Sequence, residues 1–164
     1  MNAVYLHRLA RRLHHLGVPL APKLILRGVR VLYSSVLPLE AEIGEGTQLG
    51  HGGLGVVIHP ETRIGSYCMV SHQVTVGGRS GERGAPWIGD GVLLGAGAKI
   101  LGPIRIGAGA IVGANAVVVH DVAPGEVVAG VPARPLHAST RARSAFRSNM
   151  EAHFGHGVAS GGEE

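Results

Sequence analysis

Histidine is the residue type with the widest chemical capacity in this sequence. The chain has 164 residues and ten histidines, of which His51, His59 and His72 lie in its glycine-rich middle part. An imidazole titrates near neutral pH, so it can move protons in a reaction or bind a metal ion. Zinc requires three or four ligands in tetrahedral geometry. We expect no metal at these three histidines.

Cysteine and the charged residues narrow the chemistry further. The single cysteine, Cys68, excludes a disulfide framework and a cysteine-rich metal site. The formal net charge is +4, with 15 basic residues against 11 acidic ones. This modest excess suits anionic small molecules. Because no basic run is interleaved with aromatic residues, we expect no nucleic-acid partner.

A six-residue period runs through the middle of the chain and must position any functional side chain there. Glycine often follows the repeating aliphatic residue, and the fifth position of the hexad is usually small or β-branched. Neither a helix nor a hairpin meander has this period, which is typical of a hexapeptide β-helix. The repeating aliphatic residues are Ile43, Leu49, Ile58, Ile64, Val70, Val76, Ile88, Leu94, Ile100, Ile106, Val112 and Val118.

Each hexad predicts one short strand and one corner, and three hexads predict one triangular coil. The aliphatic side chain points inward and stacks on its equivalents in neighbouring coils, with all strands parallel. The fifth position must be small because the walls converge there. Cys68 occupies a fifth position, so we predict a core residue rather than a nucleophile. Glycine is expected to supply the backbone dihedral angles of the tight corners.

The hexad register is interrupted twice. Leu49 to Ile58 spans nine residues, and Val76 to Ile88 spans twelve. The second interruption, GGRSGERGAPW, predicts a loop over residues 77–87 that projects from the coil. Loops that leave a rigid repeat scaffold often carry function.

The two ends of the chain differ from the repeat. Helical spacing of apolar residues over 3–15 and 21–33 predicts an N-terminal helical segment over residues 1–36. The β-helix domain is predicted over 37–136, and a mostly disordered tail over 137–164. Arg and His interrupt every apolar stretch, so no signal peptide or membrane span is visible and we expect a cytoplasmic protein. We expect the apolar helix residues to pack on the rest of the domain; contact of the basic amphipathic start with a membrane surface is the alternative, which we do not favour.

Three stretches carry a family resemblance: HGGLGVVIHPETRIG, VSHQVTVGG and IGDGVLLGAGAKILGPIRIGAGAIVGANAVVVHDVAPGEVVAGVPARPL. Within them, GAGAKILG and GVPAR lie in register with the hexads. Over residues 40–136 the chain resembles the hexapeptide-repeat acyltransferases. It is most similar to their serine acetyltransferase branch and to related sugar and polysaccharide O-acetyltransferases. The resemblance implies an all-β fold, a left-handed parallel β-helix with a short helical segment before it.

The same resemblance implies transfer of an acetyl group from acetyl-CoA to a hydroxyl of a small molecule, in a homotrimer. In serine acetyltransferases the histidine of an Asp-His-Ala-Thr-Gly stretch is the general base, and that histidine matches His51. The role suits an imidazole because the attacking hydroxyl must lose its proton. His72 is predicted to face outward near the loop, where it contacts the acceptor or assists His51. A solvated surface histidine is the alternative for His72.

The resemblance also implies contacts with CoA. Small residues match the family positions whose backbone contacts the pantetheine arm, since that arm lies close to the coil wall. These residues are Gly77, Gly78 and Ala96. Cations near the coil are candidates for the phosphates of CoA. They are Arg79, Arg83, Lys99 and Arg134.

The chain departs from the serine acetyltransferase pattern at four positions. Gly50 replaces the acid before the catalytic histidine, and Val36 replaces the aspartate that pairs with it. The family's second histidine falls near Ala85. The last residue is Glu164 rather than the isoleucine that docks into cysteine synthase, so we expect no such docking.

The missing acids bear on the acceptor. An ammonium buried without a counter-charge is costly, whereas a neutral polyol needs only hydrogen bonds. We therefore favour a sugar or another neutral hydroxyl as acceptor. One alternative is L-serine O-acetyltransferase proper, and another is a non-catalytic β-helix that binds a ligand or acts as a scaffold. In the serine alternative the missing charge would come from Glu40, Glu42, Glu61 or Glu82.

Overall fold

The fold is that of a computed structural model in which residues 2–136 and Ser148 are described. The helices α1 (Ala3–His15) and α2 (Ala21–Tyr33) precede a series of short strands. The strands are β1 (Glu42–Ile43), β2 (Gln48–Leu49), β3 (Val57–Ile58), β4 (Arg63–Ile64), β5 (Met69–Val70), β6 (Thr75–Gly77), β7 (Trp87–Ile88), β8 (Leu93–Leu94), β9 (Lys99–Leu101), β10 (Arg105–Ile106), β11 (Ile111–Val112), β12 (Val117–Val118), β13 (Val127–Gly130) and β14 (Ala133–Pro135). The tail that the sequence predicts to be disordered, residues 137–164, lies outside the described residues apart from Ser148.

The strands form three sheets, which are the three walls of a β-helix. One wall has the order β1-β4-β7-β10, the second β14-β13-β11-β8-β5-β2, and the third β12-β9-β6-β3. All pairings between these strands are parallel except the last, β13 with β14, which is antiparallel. The predicted fold class is therefore confirmed.

The core consists of columns of aliphatic side chains, one column per wall. In the first wall Ile43 pairs with Ile64, Ile64 with Ile88 and Ile88 with Ile106, so the same inward position repeats from coil to coil. All twelve aliphatic positions of the hexad pattern are buried, as predicted. The fifth positions are buried too: Thr47, Thr62, Cys68, Val74, Val92, Ala98, Ala110, Ala116 and Val122.

Cys68 behaves as the core residue that its hexad position predicts. Its side chain is fully buried, and its Sγ donates to the carbonyl oxygen of Gly89 at 3.1 Å. Burial raises the pKa of the thiol to about 11. The reactive thiolate is therefore scarce at neutral pH, and Cys68 is not suited to nucleophilic catalysis.

Glycine supplies positive φ angles at corners such as Gly46, Gly91 and Gly109, as predicted, but the glycines directly after the aliphatic positions serve another purpose. Gly44, Gly65, Gly89 and Gly107 do not have positive φ angles, so tight-corner dihedral angles do not explain them. A Cβ added to Gly89 would lie 2.7 Å from the backbone nitrogen of Ala108 in the next coil. These glycines are needed because adjacent coils approach too closely for any side chain.

Helix α1 packs on the first coil through polar contacts as well as apolar ones. Asn2 Nδ2 donates to the carbonyl oxygen of Leu49 at 2.8 Å. Arg8 donates to the carbonyl oxygen of Gly44 at 2.6 Å, and Arg11 to that of Ala41 at 3.2 Å. Side chains of α1 thus satisfy backbone acceptors of the first coil, which has no preceding coil to pair with.

Much of the apolar surface of both helices faces solvent. The expectation that it packs on the rest of the domain is wrong for Tyr5, Leu9, Leu16, Leu20, Leu24, Val31 and Leu32, which are all exposed. The sequence pattern identified apolar helices but could not show that a slender β-helix offers only a narrow end for them to cover. Neither described helix is long and apolar enough to cross a membrane.

His7 is expected to make stability depend on pH. Its ring is buried, Nε2–H donates to the carbonyl oxygen of Pro38 at 2.7 Å, and Nδ1 has no partner among the described residues. Burial lowers the pKa of His7 below its usual 6.5, so the unfolded chain takes up a proton first as pH falls. Stability should therefore be complete above about pH 6.5 and decline below it, by at most about 1.4 kcal/mol per pH unit for one group. Urea unfolding between pH 7.5 and 5 measures this; a His7→Gln variant with an equally steep decline would contradict the assignment.

Candidate active site

The register of the second wall brings His51 and His72 together. Gln48 pairs with Met69 and Leu49 with Val70, so each residue of the first coil lies beside the one 21 positions later. Continued past the strands, this register places His51 beside His72. The two imidazole rings meet edge to face, with centroids 4.8 Å apart and planes at 89°. His51 is exposed and His72 half-buried, so the pair is open to a small molecule from outside.

The next coil extends the same corner. Val70 pairs with Leu94, which places Ala96 beside His72. The carbonyl oxygen of His72 accepts from the backbone N–H of Gly97 at 3.0 Å. His51, His72 and Ala96 thus form a ladder along one edge of the β-helix. Three of the candidate residues named from sequence are brought together there.

The backbone at His51 is held in an unusual conformation. Residues Gly50–Gly53 form a 3-10 turn in which His51 has φ 51° and Gly52 φ 73°. The hydroxyl of Ser35, which is buried, donates to the carbonyl oxygen of Gly53. The backbone N–H of Gly55 donates to the carbonyl oxygen of Tyr33 at 2.8 Å. The end of α2 and the residues just after it therefore fix the turn that presents His51.

Ser35 is the positioning residue that sequence reasoning missed. It directly precedes Val36, the position compared with the family's aspartate, but its contact is to a backbone oxygen. Val36 itself pairs in parallel with Val57, and its N–H donates to the carbonyl oxygen of Val56 at 2.9 Å. Val36 therefore serves the coil through its backbone and offers His51 no charge.

Two glycines that the fold itself does not require lie where β6 meets the projecting loop. Gly77 ends β6 and Trp87 begins β7, so the loop is shorter at both ends than the predicted 77–87. Neither Gly77 nor Gly78 has a positive φ, and the nearest atoms to an added Cβ would be 3.7 Å away in both cases. A side chain would fit the chain's own packing at either position. The absence of one leaves the wall open to a ligand, which fits the narrow pantetheine arm of CoA. The ring of His59 lies beside Gly78, 4.0 Å from the position of such a Cβ.

The four candidate cations lie in different places. Lys99 Nζ donates to the carbonyl oxygen of Gln73 at 2.9 Å, next to the histidine pair. Arg79 forms an ion pair with Glu82 at 3.2 Å within the loop, and Arg83 is exposed there. Arg134 lies on β14, at the opposite edge of the wall from β2. Only Lys99 is thus placed beside the His51–His72 corner by a contact in the described chain.

Arg134 occupies a separate cleft. This cleft has a volume of about 270 Å³ and is shared with His120, Asp121 and Glu126. The two carboxylates make it unfavourable for a phosphate of CoA in a single chain. The guanidinium of Arg134 also donates to the carbonyl oxygen of Ala133 at 3.0 Å.

The acids proposed as substitutes for the missing family carboxylates are engaged or exposed. Glu42 pairs with Arg63 at 3.4 Å, and Glu82 with Arg79. Glu40 and Glu61 are exposed. Within residues 2–136, no three His, Cys, Asp or Glu side chains are grouped so that they could hold a metal ion.

The sequence is similar to bacterial transferases with hexapeptide repeats and to serine acetyltransferases. A family model described as bacterial transferase hexapeptide (six repeats) matches residues 85–120. Serine acetyltransferase from Mycobacterium tuberculosis is 40% identical over 138 residues, which cover 83% of this chain and 60% of that protein. Serine acetyltransferase from Helicobacter pylori is 35% identical over 138 residues, which cover 83% of this chain and 80% of that protein.

Solved structures agree with the sequence comparison. Neisseria gonorrhoeae serine acetyltransferase in complex with serine has a TM-score of 0.74 and 38% identity, covering 81% of this chain and 55% of that one. A serine acetyltransferase in complex with CoA has a TM-score of 0.73 and 30% identity, covering 82% of this chain and 55% of that one. The chain belongs to the serine acetyltransferase family. It spans less than two thirds of the length of the Mycobacterium tuberculosis relative and of both solved structures.

Proposed function

We propose that this chain is an acetyl-CoA-dependent O-acetyltransferase, with L-serine as its acceptor. The observation that carries the proposal is the edge-to-face pair of His51 and His72 beside a wall of small residues, in a chain of this family. One relative is described in complex with serine and another in complex with CoA, which supports both substrates. The similarity to serine acetyltransferases favours serine as the acceptor, although the missing acids alone would favour a neutral hydroxyl.

His51 acts as the general base in this proposal. It takes the proton of the acceptor hydroxyl as the oxygen attacks the carbonyl carbon of the thioester that acetyl-CoA supplies. A backbone N–H of the corner or loop stabilises the negative charge that develops on the carbonyl oxygen. The carbon–sulfur bond then breaks, and His51 returns the proton to the departing sulfur. Transfer is direct, so no acyl group is attached to the protein.

The CoA contacts follow from the placement of the small residues. Gly77, Gly78 and Ala96 line the wall for the pantetheine arm, and Lys99, Arg79 and Arg83 are proposed to contact the phosphates. Arg134 would meet phosphate only in an assembly that brings it to another chain. A homotrimer in the cytoplasm, with sites between chains, remains our prediction for the working form.

His72 is proposed as a positioning residue for His51. Removing its ring in a His72→Ala variant should let the His51 imidazole rotate away from the hydroxyl, lowering kcat about 10- to 100-fold with a smaller change in KM. A kcat and a KM equal to those of the wild type would assign His72 to the solvated surface.

A neutral sugar hydroxyl is the second candidate acceptor. Val36 and Gly50 leave the corner without the family's two acids, and Ala85 lies near the place of its second histidine. Glu42 and Glu82 are already paired with arginines. An ammonium would therefore need its counter-charge from an exposed acid such as Glu40 or Glu61, or from another chain. The shortage of free carboxylates at this corner is the observation that favours a neutral sugar as acceptor.

Steady-state kinetics separate the two acceptors. We expect L-serine to be acetylated with kcat/KM of about 10⁴ M⁻¹s⁻¹ or above, the lower end for well-adapted enzymes, and faster than any member of a panel of sugars and glycosides. In that case, single Glu→Gln changes at positions 40, 42, 61 and 82 should identify the counter-charge by a raised KM for serine. Faster turnover of a sugar than of serine would overturn serine as acceptor. Binding of CoA without turnover of any hydroxyl would favour the non-catalytic scaffold instead.

A further inference from the structure

The outer face of α1 carries an exposed stripe that nothing in the described chain covers. Tyr5, Leu9, Arg12 and Leu16 follow one another at spacings of four, three and four residues, which places them on one side of the helix. All four are exposed, Leu16 to 77%. The buried residues of α1 lie on the opposite side of the helix: Ala3, Val4, His7 and Ala10.

The second helix repeats this arrangement. Leu20, Leu24, Arg27 and Val31 have the same spacings of four, three and four residues, with an arginine again at the third place. All four are exposed, Val31 to 81%. The apolar residues of the two helices are expected from sequence to pack on the domain, but both stripes face solvent.

The charged side chains of the two helices are all basic. The first acidic residue of the chain is Glu40, whereas six Arg and Lys side chains precede it. Four of these cations are exposed: Arg12, Lys23, Arg27 and Arg30. Arg12 also lines an open cleft of about 500 Å³ with Arg8, Arg11 and His15, in which Glu45 is the only acid among the described lining residues. The stripe of α1 thus adjoins a positively charged recess.

We propose that the exposed faces of α1 and α2 bind the surface of an anionic lipid bilayer. Each stripe has three apolar side chains and one arginine on the same helix face, which suits the boundary between acyl chains and headgroups. The cationic recess at Arg12 receives the phosphates of the headgroups. The helices lie on the bilayer and do not span it.

Charge argues against a second copy of the chain on the same face. A two-fold contact of this face with the same face of another chain would bring Arg12 and Arg27 against a surface that contains no acid from residues 2–39. Like charges at close range oppose association, whereas an anionic bilayer neutralises them. The lipid surface is therefore the occupant that fits both the apolar and the charged part of the face.

Co-sedimentation with vesicles tests the proposal on the full chain. We expect binding to vesicles of phosphatidylcholine with phosphatidylglycerol, little binding to phosphatidylcholine alone, and weaker binding at high salt. Replacing both arginines, R12Q with R27Q, should weaken binding about thirtyfold, since each cation near such a surface contributes roughly fivefold. Replacing both leucines, L9S with L24S, should weaken it at least about tenfold.

Matched controls come from the β-helix. R105Q and L136S each replace an exposed residue of the same type outside the helices, and binding should stay unchanged. The helix variants should keep the wild-type circular dichroism spectrum and release of CoA thiol, which separates this proposal from the proposed function. Absence of vesicle binding, or binding that the helix variants do not weaken, would overturn it. The proposal would also be overturned if, without lipid, the L9S and L24S double variant had a different sedimentation coefficient from the wild type. A second copy of the chain would then occupy the face.

Discussion

Replacing His51 with alanine is expected to lower kcat by ~10²–10⁴, the usual contribution of a positioned general base. The variant should fold normally, because the His51 side chain is exposed and the Gly50–Gly53 turn is held through backbone groups by Ser35 and Tyr33. The KM for acetyl-CoA should change little, since the small residues at Gly77 and Gly78 remain. Steady-state thiol release measures both parameters.

The matched control for this change is His120→Ala. His120 is also exposed but lines the cleft of Arg134, at the opposite end of the β-helix from the His51–His72 pair. Its loss should leave kcat within about twofold of the wild type, as expected for a surface change away from the site. If His51→Ala keeps the wild-type rate, or if His120→Ala loses as much, the base lies elsewhere.

Substituting Gly89 with alanine is expected to cost about 1–3 kcal/mol of unfolding free energy, the range for overpacking a tight interior. The added methyl group would lie 2.7 Å from the backbone nitrogen of Ala108 and 3.0 Å from its Cα. Backbone of the next coil must move, and with it the hydrogen bond from Gly89 N–H to the carbonyl oxygen of Ile106, now 2.8 Å. The urea midpoint should fall at constant slope.

Gly28→Ala is the matched control because a Cβ there meets nothing within 4 Å. Gly28 lies inside α2, where alanine is preferred over glycine by about 1 kcal/mol. The same substitution should therefore stabilise the helix and destabilise the coil. Equal effects at both sites would show that coil spacing is not what excludes a side chain at Gly89.

The contact between the two histidines could be predicted from the sequence in principle. A coil of three hexads has 18 residues, and the nine-residue interval from Leu49 to Ile58 adds three. The resulting 21 residues are the separation of His51 and His72. Hexad counting thus determines which side chains share a corner, because the register of a β-helix is fixed by its aliphatic columns.

Other features depend on information that residue types do not carry. The glycines directly after the aliphatic positions are needed because adjacent coils lie so close together, and residue types alone do not carry that distance. Ser35 holds the turn of His51 through a backbone oxygen, which leaves no pattern in the sequence. The exposure of Leu16 and Val31 follows from how little surface the end of the coil offers to two helices.

Single-turnover transfer from labelled acetyl-CoA tests the central claim most directly. With the chain in excess over acetyl-CoA and L-serine present, the label should pass to O-acetylserine together with release of one CoA thiol. Intact-mass analysis at intermediate times should find no acetylated protein, because His51 activates the acceptor rather than attacking the thioester. Label on the protein before it reaches the acceptor, or CoA binding with no transfer to serine or to any other hydroxyl, would contradict the account.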